Sequence, residues 1–501
     1  MKKFILLMLT AALVALPVLS CAGDDGGGTQ SPGPGDERRE TPGDTPDGGD
    51  IQGTDDTNGE PEELRFPDLP DVNFGGYEFR ILNSADDNQL FILTQLVAEE
   101  ETGEALNDAI FRRNRRMEER FGFTLVQLDG PGPAQVRDRA RRSIQAASDD
   151  FDLAMVTATD ALPMAQEGLF EMIDRVPHVD LTQPWWDQDM NRDFSIGRRL
   201  FFTSGDFSFN QYSVTVPLIF NKEMHADLGL DCPYTLVREG RWTLERFAEQ
   251  GRAALRDLNG DGIFDHTDQW GFAAQSHVFT PAIMNGIGTR YIVKDADDLP
   301  VLNINNEGFI QRFLMAYDFL SEGWVFDGRR PGQGDPRNMF LNNHALFYGA
   351  LMNNATQFRA MDADFGILPF PKFDEQQEYH ISGTGLPHVM CIPVTTADLE
   401  RTGIILEALN AESRLTTLTV YYDTMVVNQI MNRDEESAEM LDLVFANRIY
   451  ETGRFYWETH VAAPLANAVR DFNRDIASII ERHEAAALAA IETTIEAFLT
   501  N

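Results

Sequence analysis

The chain has 501 residues, of which 43% are apolar, so it can bury a large core and is expected to form two or more lobes. With 80 acidic and 41 basic residues, its formal net charge of -39 repels a phosphate backbone and excludes general nucleic-acid binding. Acidity alone identifies no ligand.

The amino terminus has the pattern of an export signal. A start with two lysines is followed by the apolar run 4–19 and then by Cys21. We predict a signal peptide over residues 1–20. The alternative is an uncleaved anchor, although Pro17 and the short run are less typical of a membrane-spanning helix.

The next segment, residues 21–65, is rich in Gly, Pro, Asp and Thr and has almost no large apolar side chain. Such a composition cannot offset the entropy cost of ordering, so we predict a disordered acidic linker. Coil scaling gives it a reach of roughly 35–40 Å. No later segment has the roughly 18 continuous apolar residues of a spanning helix, so we expect the folded part to lie outside the bilayer.

The folded part opens with alternating strand and helix patterns. The stretch "YEFRILNS" predicts a strand and "GEALNDAIFRRNRRMEERFG" an amphipathic helix. A strand, a helix and a third strand follow in "FTLVQL", "AQVRDRARRSIQAASD" and "FDLAMVT". This order predicts right-handed β-α-β units with parallel strands, whose carboxyl ends form a ligand-binding edge.

The α/β pattern continues to the carboxyl terminus. Strands are predicted at "RLFFTSGDF", "SVTVPLIFN", "HALFYGA" and "DFGILPF", and helices at "WTLERFAEQGRAALRD" and "EGFIQRFLMAYDFLSEG". An Ala-rich helix ends the chain, with a predicted apolar face through Ile476, Ile480, Leu488 and Ile491.

The stretch "RDLNGDGIFDHTDQWGF" has oxygen-bearing residues at the spacing of an EF-hand loop, with Gly262 at the turn position. The candidate metal ligands are Asp257, Asn259, Asp261, the carbonyl of Ile263, Asp265 and Asp268. The last ligand position carries Asp instead of the usual Glu, and a strand pattern follows in place of a second helix. We predict a structural Ca²⁺ that braces the loop; the alternative is a turn closed by its own Asp and Asn side chains.

The cysteines divide into one at the start and two in the folded part. Residues 18–21 resemble the lipobox of bacterial lipoproteins, which implies that Cys21 carries a lipid anchor. Cys232 and Cys391 either pair or stay buried as thiols, and the sequence leaves both outcomes open.

Several longer stretches carry a family resemblance. They include "NFGGYEFRIL", "FDLAMVTATDALPMAQEGLFEMID", "LIFNKEMHADLGL" and "FGILPFPKFDEQQEYH". Their order along the chain resembles the maltose-type extracellular solute-binding proteins that feed ABC importers, from residue 73 onward. The resemblance implies two α/β lobes of the periplasmic-binding-protein type, joined by hinge strands, with a central ligand cleft that closes on its ligand.

On that template, lobe one holds residues 66–208 and 345–400, and lobe two holds residues 209–344 and 401–501. The resemblance also implies a monomeric lipoprotein, in the periplasm or on the outer side of the cytoplasmic membrane, that touches the membrane only through its lipid. Its expected partners are a small polar solute, a sugar or oligosaccharide, and the subunits of an ABC permease.

A sugar site needs flat aromatic surfaces for the ring faces and carboxylates or amides for the hydroxyls. Strand ends, the crossover and the family pattern supply the candidates Asn83, Asp86, Asp160, Trp186, Asp206, Asn210, Phe279, Tyr348, Asn354, Ser382, Thr384 and Trp457. Each has a structural alternative, because Asp and Asn also cap helices and aromatic side chains fill cores. Trp185 and Trp186 are adjacent, so at most one of them is expected to reach the cleft.

Two other functions stay open on the sequence. An extracellular glycan hydrolase needs a carboxylate pair, and a chain with 80 acidic residues always offers one. Catalysis nevertheless lacks a motif, since G-x-S-x-G and H-E-x-x-H are both absent from the sequence. A lipid-anchored protein that binds glycans for adhesion, without transport, is the other alternative.

Overall fold

The computed structural model describes residues 65–84, 96–330, 333–349, 351–352, 358, 361–423 and 436–501. The predicted signal peptide, the linker up to residue 64, and the candidate residues Cys21, Asp86 and Asn354 lie outside the described residues.

Helices and strands alternate along the described chain. The strands are β1 Tyr77–Ser84, β2 Phe123–Gly130, β3 Leu153–Thr157, β4 Leu218–Asn221, β5 Trp270–Ala274, β6 Ile292–Lys294, β7 Pro300–Leu302, β8 Val325–Asp327, β9 Ala345–Gly349, β10 Phe365–Leu368, β11 Ser382–Gly383, β12 His388–Cys391 and β13 Arg448–Ile449. The α-helices are α1 Ala105–Phe121, α2 Pro133–Gln145, α3 Ala158–Gln166, α4 Gln188–Phe194, α5 Asn210–Ser213, α6 Lys222–Asp227, α7 Pro233–Arg238, α8 Leu244–Ala254, α9 Ser276–Gly286, α10 Glu307–Leu320, α11 Pro336–Leu341, α12 Leu399–Glu412, α13 Leu418–Tyr421, α14 Glu436–Ala446, α15 Thr452–Phe455, α16 Ala462–Arg470 and α17 Ile476–Thr500. A 3-10 turn covers Ile173–Arg175 and a π-helical turn covers Ser413–Thr417.

The first sheet, which we call the sheet of lobe one, has the strand order β12-β3-β1-β2. β1 is parallel to β2 and β3, and β12 is antiparallel to β3, with His388 opposite Thr157. Helix α1 ends where Gly122 takes a left-handed conformation with φ of 64°, which returns the chain to β2. The predicted parallel β-α-β units at the start of the folded part are therefore present.

The second sheet, the sheet of lobe two, has the order β10-β4-β9-β5-β8. β5 runs parallel to β8 and β9, while β4 is antiparallel to β9 and β10. β9 and β10 thus belong to lobe two, whereas the sequence analysis assigned 345–400 to lobe one. The difference arises because β9 and β10 both pair with β4, and the chain returns to lobe one only after β10.

Three stretches cross between the two sheets. The first leads from Thr203, which bridges to Met390 beside β3, to β4. The second leads from β10 through β11 to β12. The third leads from α12, which packs on α1 in lobe one, to α14, which packs on β10 in lobe two. Helix α12 therefore lies on lobe one, although 401–501 was predicted to belong to lobe two.

The first two crossing stretches are hydrogen-bonded to each other. The amide of Val216 donates to the carbonyl of Gly383 at 3.0 Å, and the amide of Gly385 donates to the carbonyl of Val214 at 2.6 Å. β11 in turn pairs in parallel with β13, so three short segments lie side by side between the lobes. Crossing strands of this kind form the predicted hinge.

The predicted strand over "RLFFTSGDF" is replaced by irregular backbone with an isolated bridge at Thr203. Part of "SVTVPLIFN" is also irregular, because only its end forms β4. Cys232 and Cys391 are not joined by a disulfide, and Cys391 is buried in β12. Within the part of the chain that the structure describes, none of the helices is both long and apolar enough to cross a membrane.

Candidate functional site

Polar side chains gather where the sheet edges of the two lobes meet the crossing strands. In lobe one this edge is formed by the ends of β1 and β3 and by the start of β12. In lobe two it is formed by the ends of β5, β8 and β9. Ligands of α/β proteins bind at the carboxyl edges of parallel strands, so this junction is the candidate ligand site.

On the side of lobe one, His388 is fully buried at the start of β12. Neither of its ring nitrogens has a hydrogen-bond partner among the described residues. Burial lowers the pKa of His388 to about 4, and the nearby Asp160 carboxylate opposes that shift. A neutral imidazole that offers one donor and one acceptor is suited to a hydroxyl group.

Asn83 and Asp160 lie at the same edge. Asn83 is buried and its Nδ2 donates to Gln127 Oε1 at 3.3 Å. Asp160 lies in the first turn of α3, where it accepts from Thr157 Oγ1 at 2.9 Å and from Arg137 Nη1 at 3.2 Å. The Asp160 carboxylate is thus already held by a hydroxyl and a guanidinium of lobe one.

The first crossing stretch supplies Asp206 and Asn210, and both side chains are buried. Asn210 Oδ1 accepts from the amide of His388 at 2.7 Å, while its Nδ2 has no partner within the described chain. Asp206 accepts from Tyr212 and Arg414. Burial raises the pKa of Asp206 to about 7, against the lowering effect of Arg414.

The second crossing stretch supplies Ser382 and Thr384, which are also buried. Ser382 Oγ lacks a partner in the described part of the chain, and the carbonyl of Thr384 accepts from Arg454 Nη1 at 2.7 Å. Helix α9 packs on β11, since a Cβ added to Gly383 would lie 3.3 Å from Asn285 Nδ2. This wall of the junction is therefore built from α9, β11 and α15.

On the side of lobe two, the chain leaves β5 and enters α9 at Ser276. The amide of Ser276 donates to Asp327 Oδ1, at the end of β8, at 3.1 Å. His277 follows, and its Nδ1 is a buried atom with no partner among the described residues. Burial, together with the charges of Arg329 and Arg454, lowers the pKa of His277 to about 4.

Several solved structures have an architecture similar to that of this chain. The chain is similar to an ABC substrate-binding protein from Listeria monocytogenes in complex with cycloalternan, with 10% identity, a TM-score of 0.54, and coverage of 83% of this chain and 99% of that one. It is similar to the maltose-maltodextrin binding protein of Alicyclobacillus acidocaldarius, with 11% identity, a TM-score of 0.51, and coverage of 83% and 100%. This chain has the solute-binding-protein fold.

A third structure with this solute-binding-protein fold is UgpB from Mycobacterium tuberculosis in complex with glycerophosphocholine, with 14% identity, a TM-score of 0.52, and coverage of 85% of this chain and 98% of that one. No family model matches the sequence, and no curated protein matches it. The similarity extends over nearly the whole of each solved chain. The predicted α/β fold with two lobes is thereby confirmed.

The two adjacent tryptophans are both buried in the core of lobe one. Trp185 Nε1 donates to Glu407 Oε1 at 3.0 Å, and Trp186 Nε1 donates to Glu407 Oε2 at 2.9 Å. Burial raises the pKa of Glu407 to about 7. Trp186 therefore packs in this structure, as does Trp185, and neither presents an open aromatic face.

The other aromatic candidates also pack within the solute-binding-protein fold. Phe279 stacks on Phe370 with ring centroids 6.2 Å apart, and Tyr348 stacks on Phe340. Trp457 Nε1 donates to Thr494 of helix α17 at 3.1 Å. The structure thus brings together the polar candidates at the junction, but it places the described aromatic candidates in the core.

The EF-hand-like loop closes on its own backbone. Asp257 accepts from the amides of Gly260 and Gly262, and the fully buried Asp268 accepts from the amides of Leu258 and Asp265. Among the described residues, no group of three or more His, Cys, Asp or Glu side chains is placed to hold a metal ion.

These contacts correspond to the alternative of a turn closed by its own side chains. Asn259, Asp261 and Asp265 take part as well, since each accepts from the amide two residues further on. Calcium binding stays a prediction for this loop, which lies away from the junction between the sheets.

Several polar residues at the junction escaped the sequence analysis, namely His388, Arg454, Arg329 and Asn285. None of them belongs to a short motif, and His388 and Arg454 reach the junction only because β11 pairs with β13 and leads into β12. A signal for His388 was available, since it is the first residue of the apolar strand pattern "HVMC" on the return from lobe two.

Proposed function

We propose that this chain is an exported solute-binding protein that captures a small polar solute, a sugar or oligosaccharide, and delivers it unchanged to an ABC permease. The solute binds at the junction between the two sheets, and the lobes close on it. Signal-peptide cleavage, lipidation of Cys21 and membrane contact through that lipid complete the proposal.

The proposal is supported by a set of buried polar atoms at the junction. Buried polar atoms of His388, Asn210, Ser382 and His277 come from both lobes and from the crossing strands, and within the described chain they lack hydrogen-bond partners. Buried polar atoms without partners are costly, so a set of them at one junction favours a polar ligand that supplies the missing hydrogen bonds.

The compared structures support the same class of function. Two of them are complexes with cycloalternan and with glycerophosphocholine. In this chain the polar junction residues offer amide, hydroxyl and imidazole groups, which suit the hydroxyls of a sugar. Binding without turnover needs no catalytic group at the site.

The test is a binding titration of the mature protein against a panel of neutral and acidic oligosaccharides, followed by chromatography of the recovered solute. Saturable binding with an unchanged solute supports the proposal. Formation of a product supports a hydrolase instead, and the absence of binding across the panel favours an adhesion protein or scaffold.

Two matched variants locate the site. Ser382→Ala removes a buried hydroxyl at the junction and is expected to weaken binding about three- to tenfold, the worth of one hydrogen bond. Ser321→Ala removes another hydroxyl without a partner among the described residues, at the end of α10, and is expected to leave binding unchanged. Equal effects of the two variants would argue against this location.

A further inference from the structure

The wall of lobe two carries two arginines, Arg454 and Arg329, that make no ion pair among the described residues. We propose that the solute of this site has an anionic group, a carboxylate, phosphate or sulfate on a sugar, held by Arg454 and Arg329. This inference rests on the proposed function and adds the chemical class of the solute.

Arg454 is the inner of the two cations. It lies in α15, is partly buried, and donates through Nη1 to the carbonyl of Thr384. Among the described residues, no carboxylate lies within ion-pair distance of its guanidinium. Burial lowers the pKa of Arg454, and Glu458 is the carboxylate that most opposes this effect. A desolvated guanidinium without an ion-pair partner is stabilised when an anion binds beside it.

Arg329 is the outer cation, and it lies two residues after the end of β8. Its amide donates to Asp327 Oδ1 at 3.0 Å, while its exposed side chain makes no ion pair within the described chain. The carboxylate of Asp327 is shared with a second arginine. Arg330 Nε lies 3.9 Å from Asp327 Oδ2, so Asp327 is not available to Arg329 alone. Within the described chain, neither Arg329 nor Arg454 therefore has a carboxylate as an ion-pair partner.

His277 shows that the two cations act on the same place. Its pKa falls to about 4, first through burial and then through Arg329 and Arg454, with Asp327 opposing them. His277 is the second residue of α9, whose preceding residue Gln275 makes no side-chain cap. The positive end of the α9 dipole thus adds to the field of the two guanidinium groups.

Buried polar atoms beside this wall point to a ligand independently of the charges. Ser382 and Thr280 are fully buried, and their hydroxyl oxygens lack partners in the described part of the chain. Thr280 lies one turn into α9, and Ser382 lies in β11, on which α9 packs. An anionic oxygen is a strong hydrogen-bond acceptor that these hydroxyls and guanidinium groups can share.

The lobe-one side of the junction differs in charge balance. Its carboxylate Asp160 is already paired with Arg137 at 3.2 Å. A neutral sugar would find hydroxyl and amide partners on both walls, but it would leave Arg454 and Arg329 without a counter-charge. The asymmetry between the two walls is what favours an acidic solute.

The experiment uses oligouronides released from pectin, alginate and glucuronoxylan, and the same preparations after their carboxyl groups have been reduced to primary alcohols. A second arm compares glucose 6-phosphate and glucose 6-sulfate with glucose. Isothermal titration with the mature protein is expected to give at least tenfold tighter binding for the acidic member of one pair, weakened by added salt. The arm that binds identifies the kind of anion.

The variants are Arg454→Gln, Arg329→Gln and the control Arg246→Gln, whose side chain pairs with Glu249 on the surface of α8. Each of the first two is expected to weaken binding of the acidic member about tenfold or more, and the control to leave it unchanged. Arg329 is exposed, so its variant keeps the test valid if Arg454→Gln fails to fold.

Equal binding of acidic and neutral members, or acidic binding that both variants leave unchanged, would overturn this inference. In that case a neutral oligosaccharide that binds would still support the proposed function. If no acidic member binds at all, the inference fails, and the neutral panel decides the proposed function separately.

Discussion

At the scale of single residues, the buried polar side chains near the junction fall into two groups. Glu407 accepts hydrogen bonds from two indoles and Asp206 from a tyrosine and an arginine, so these carboxylates hold the protein together. His388 and Asn210 keep atoms without partners among the described residues. Residues of the second group are the ones available to a solute.

His388 gives a prediction about pH. Its folded-state pKa of about 4 lies below the ordinary value of 6.5, so the unfolded chain binds more protons between these values. The stability that the neutral ring contributes is present above pH 6.5 and is lost as the pH falls through 4. His388→Gln is therefore expected to show a smaller fall in the free energy of unfolding between pH 6.5 and 4.

Urea denaturation at several pH values measures this free energy, with His266→Gln at an exposed position as the control. The slopes of wild type and His388→Gln should differ by up to one proton per molecule. Identical slopes would mean that the His388 ring is solvated and that the junction is open at this point.

Gly349 gives a prediction about packing. It ends β9, and a Cβ at this position would overlap the ring of Phe279. Gly349→Ala is expected to lower the free energy of unfolding by about 1–3 kcal/mol, because an added carbon must displace that ring. At Gly323 a Cβ meets open space, so Gly323→Ala is the control and is expected to have little effect. Equal stability of the two variants would contradict the packing at the end of β9.

At the scale of elements, helix α17 links the two lobes. It packs on α3 of lobe one and on α10 and α16 beside lobe two. Thr494 Oγ1 accepts from Trp457 Nε1 at 3.1 Å and from Gln166 Nε2, at the end of α3, at 2.8 Å. One buried hydroxyl therefore joins α17 to the end of α3 and to the turn between α15 and α16.

Thr494→Val would leave the two donors without an acceptor and is expected to cost about 1–3 kcal/mol of stability. Thr493→Val is the matched control, because the neighbouring Thr493 is exposed and donates to a carbonyl of its own helix. Chemical denaturation of both variants makes the comparison. If Thr493→Val lowered the free energy of unfolding as much as Thr494→Val, the loss would come from helix α17 itself and not from its contacts with Gln166 and Trp457.

Elements with strong local patterns were predictable from the sequence. The first strand, helix α1 and the two helices α8 and α10 are where their apolar periodicity placed them. Helix α17 was predicted, but Leu488 is exposed, and its buried face runs through Ile480, Ala487 and Ile491. A small Ala and a polar Thr494 complete that face because α3 lies close against it, and periodicity alone cannot reveal this.

Long-range pairings were the part that the sequence could not provide. The sequence patterns of β9 and β10 fit a strand of either lobe. Their hydrogen bonds to β4 assign both strands to lobe two. The same holds for the candidate site. Asn210 was predicted from its position at the crossover and Ser382 from its position on a loop, whereas the aromatic candidates Phe279 and Trp457 are held by partners distant in sequence.

At the scale of the whole molecule, two sheets are joined by three crossing stretches with a polar junction between them. Short crossing segments such as 214–216 and 382–385 can change their backbone angles while each sheet stays intact. A solute that contacts both walls binds a closed arrangement better than an open one, and binding therefore shifts the molecule toward closure.

Small-angle X-ray scattering tests whether the two lobes close when a solute binds. The mature protein would be measured alone and at saturation with the oligosaccharide that binds most tightly in the titrations, with a non-binding sugar as the control. Closure of the lobes predicts a smaller radius of gyration with the bound oligosaccharide and no change with the control. An identical scattering profile at saturation would contradict closure of the two lobes around a solute.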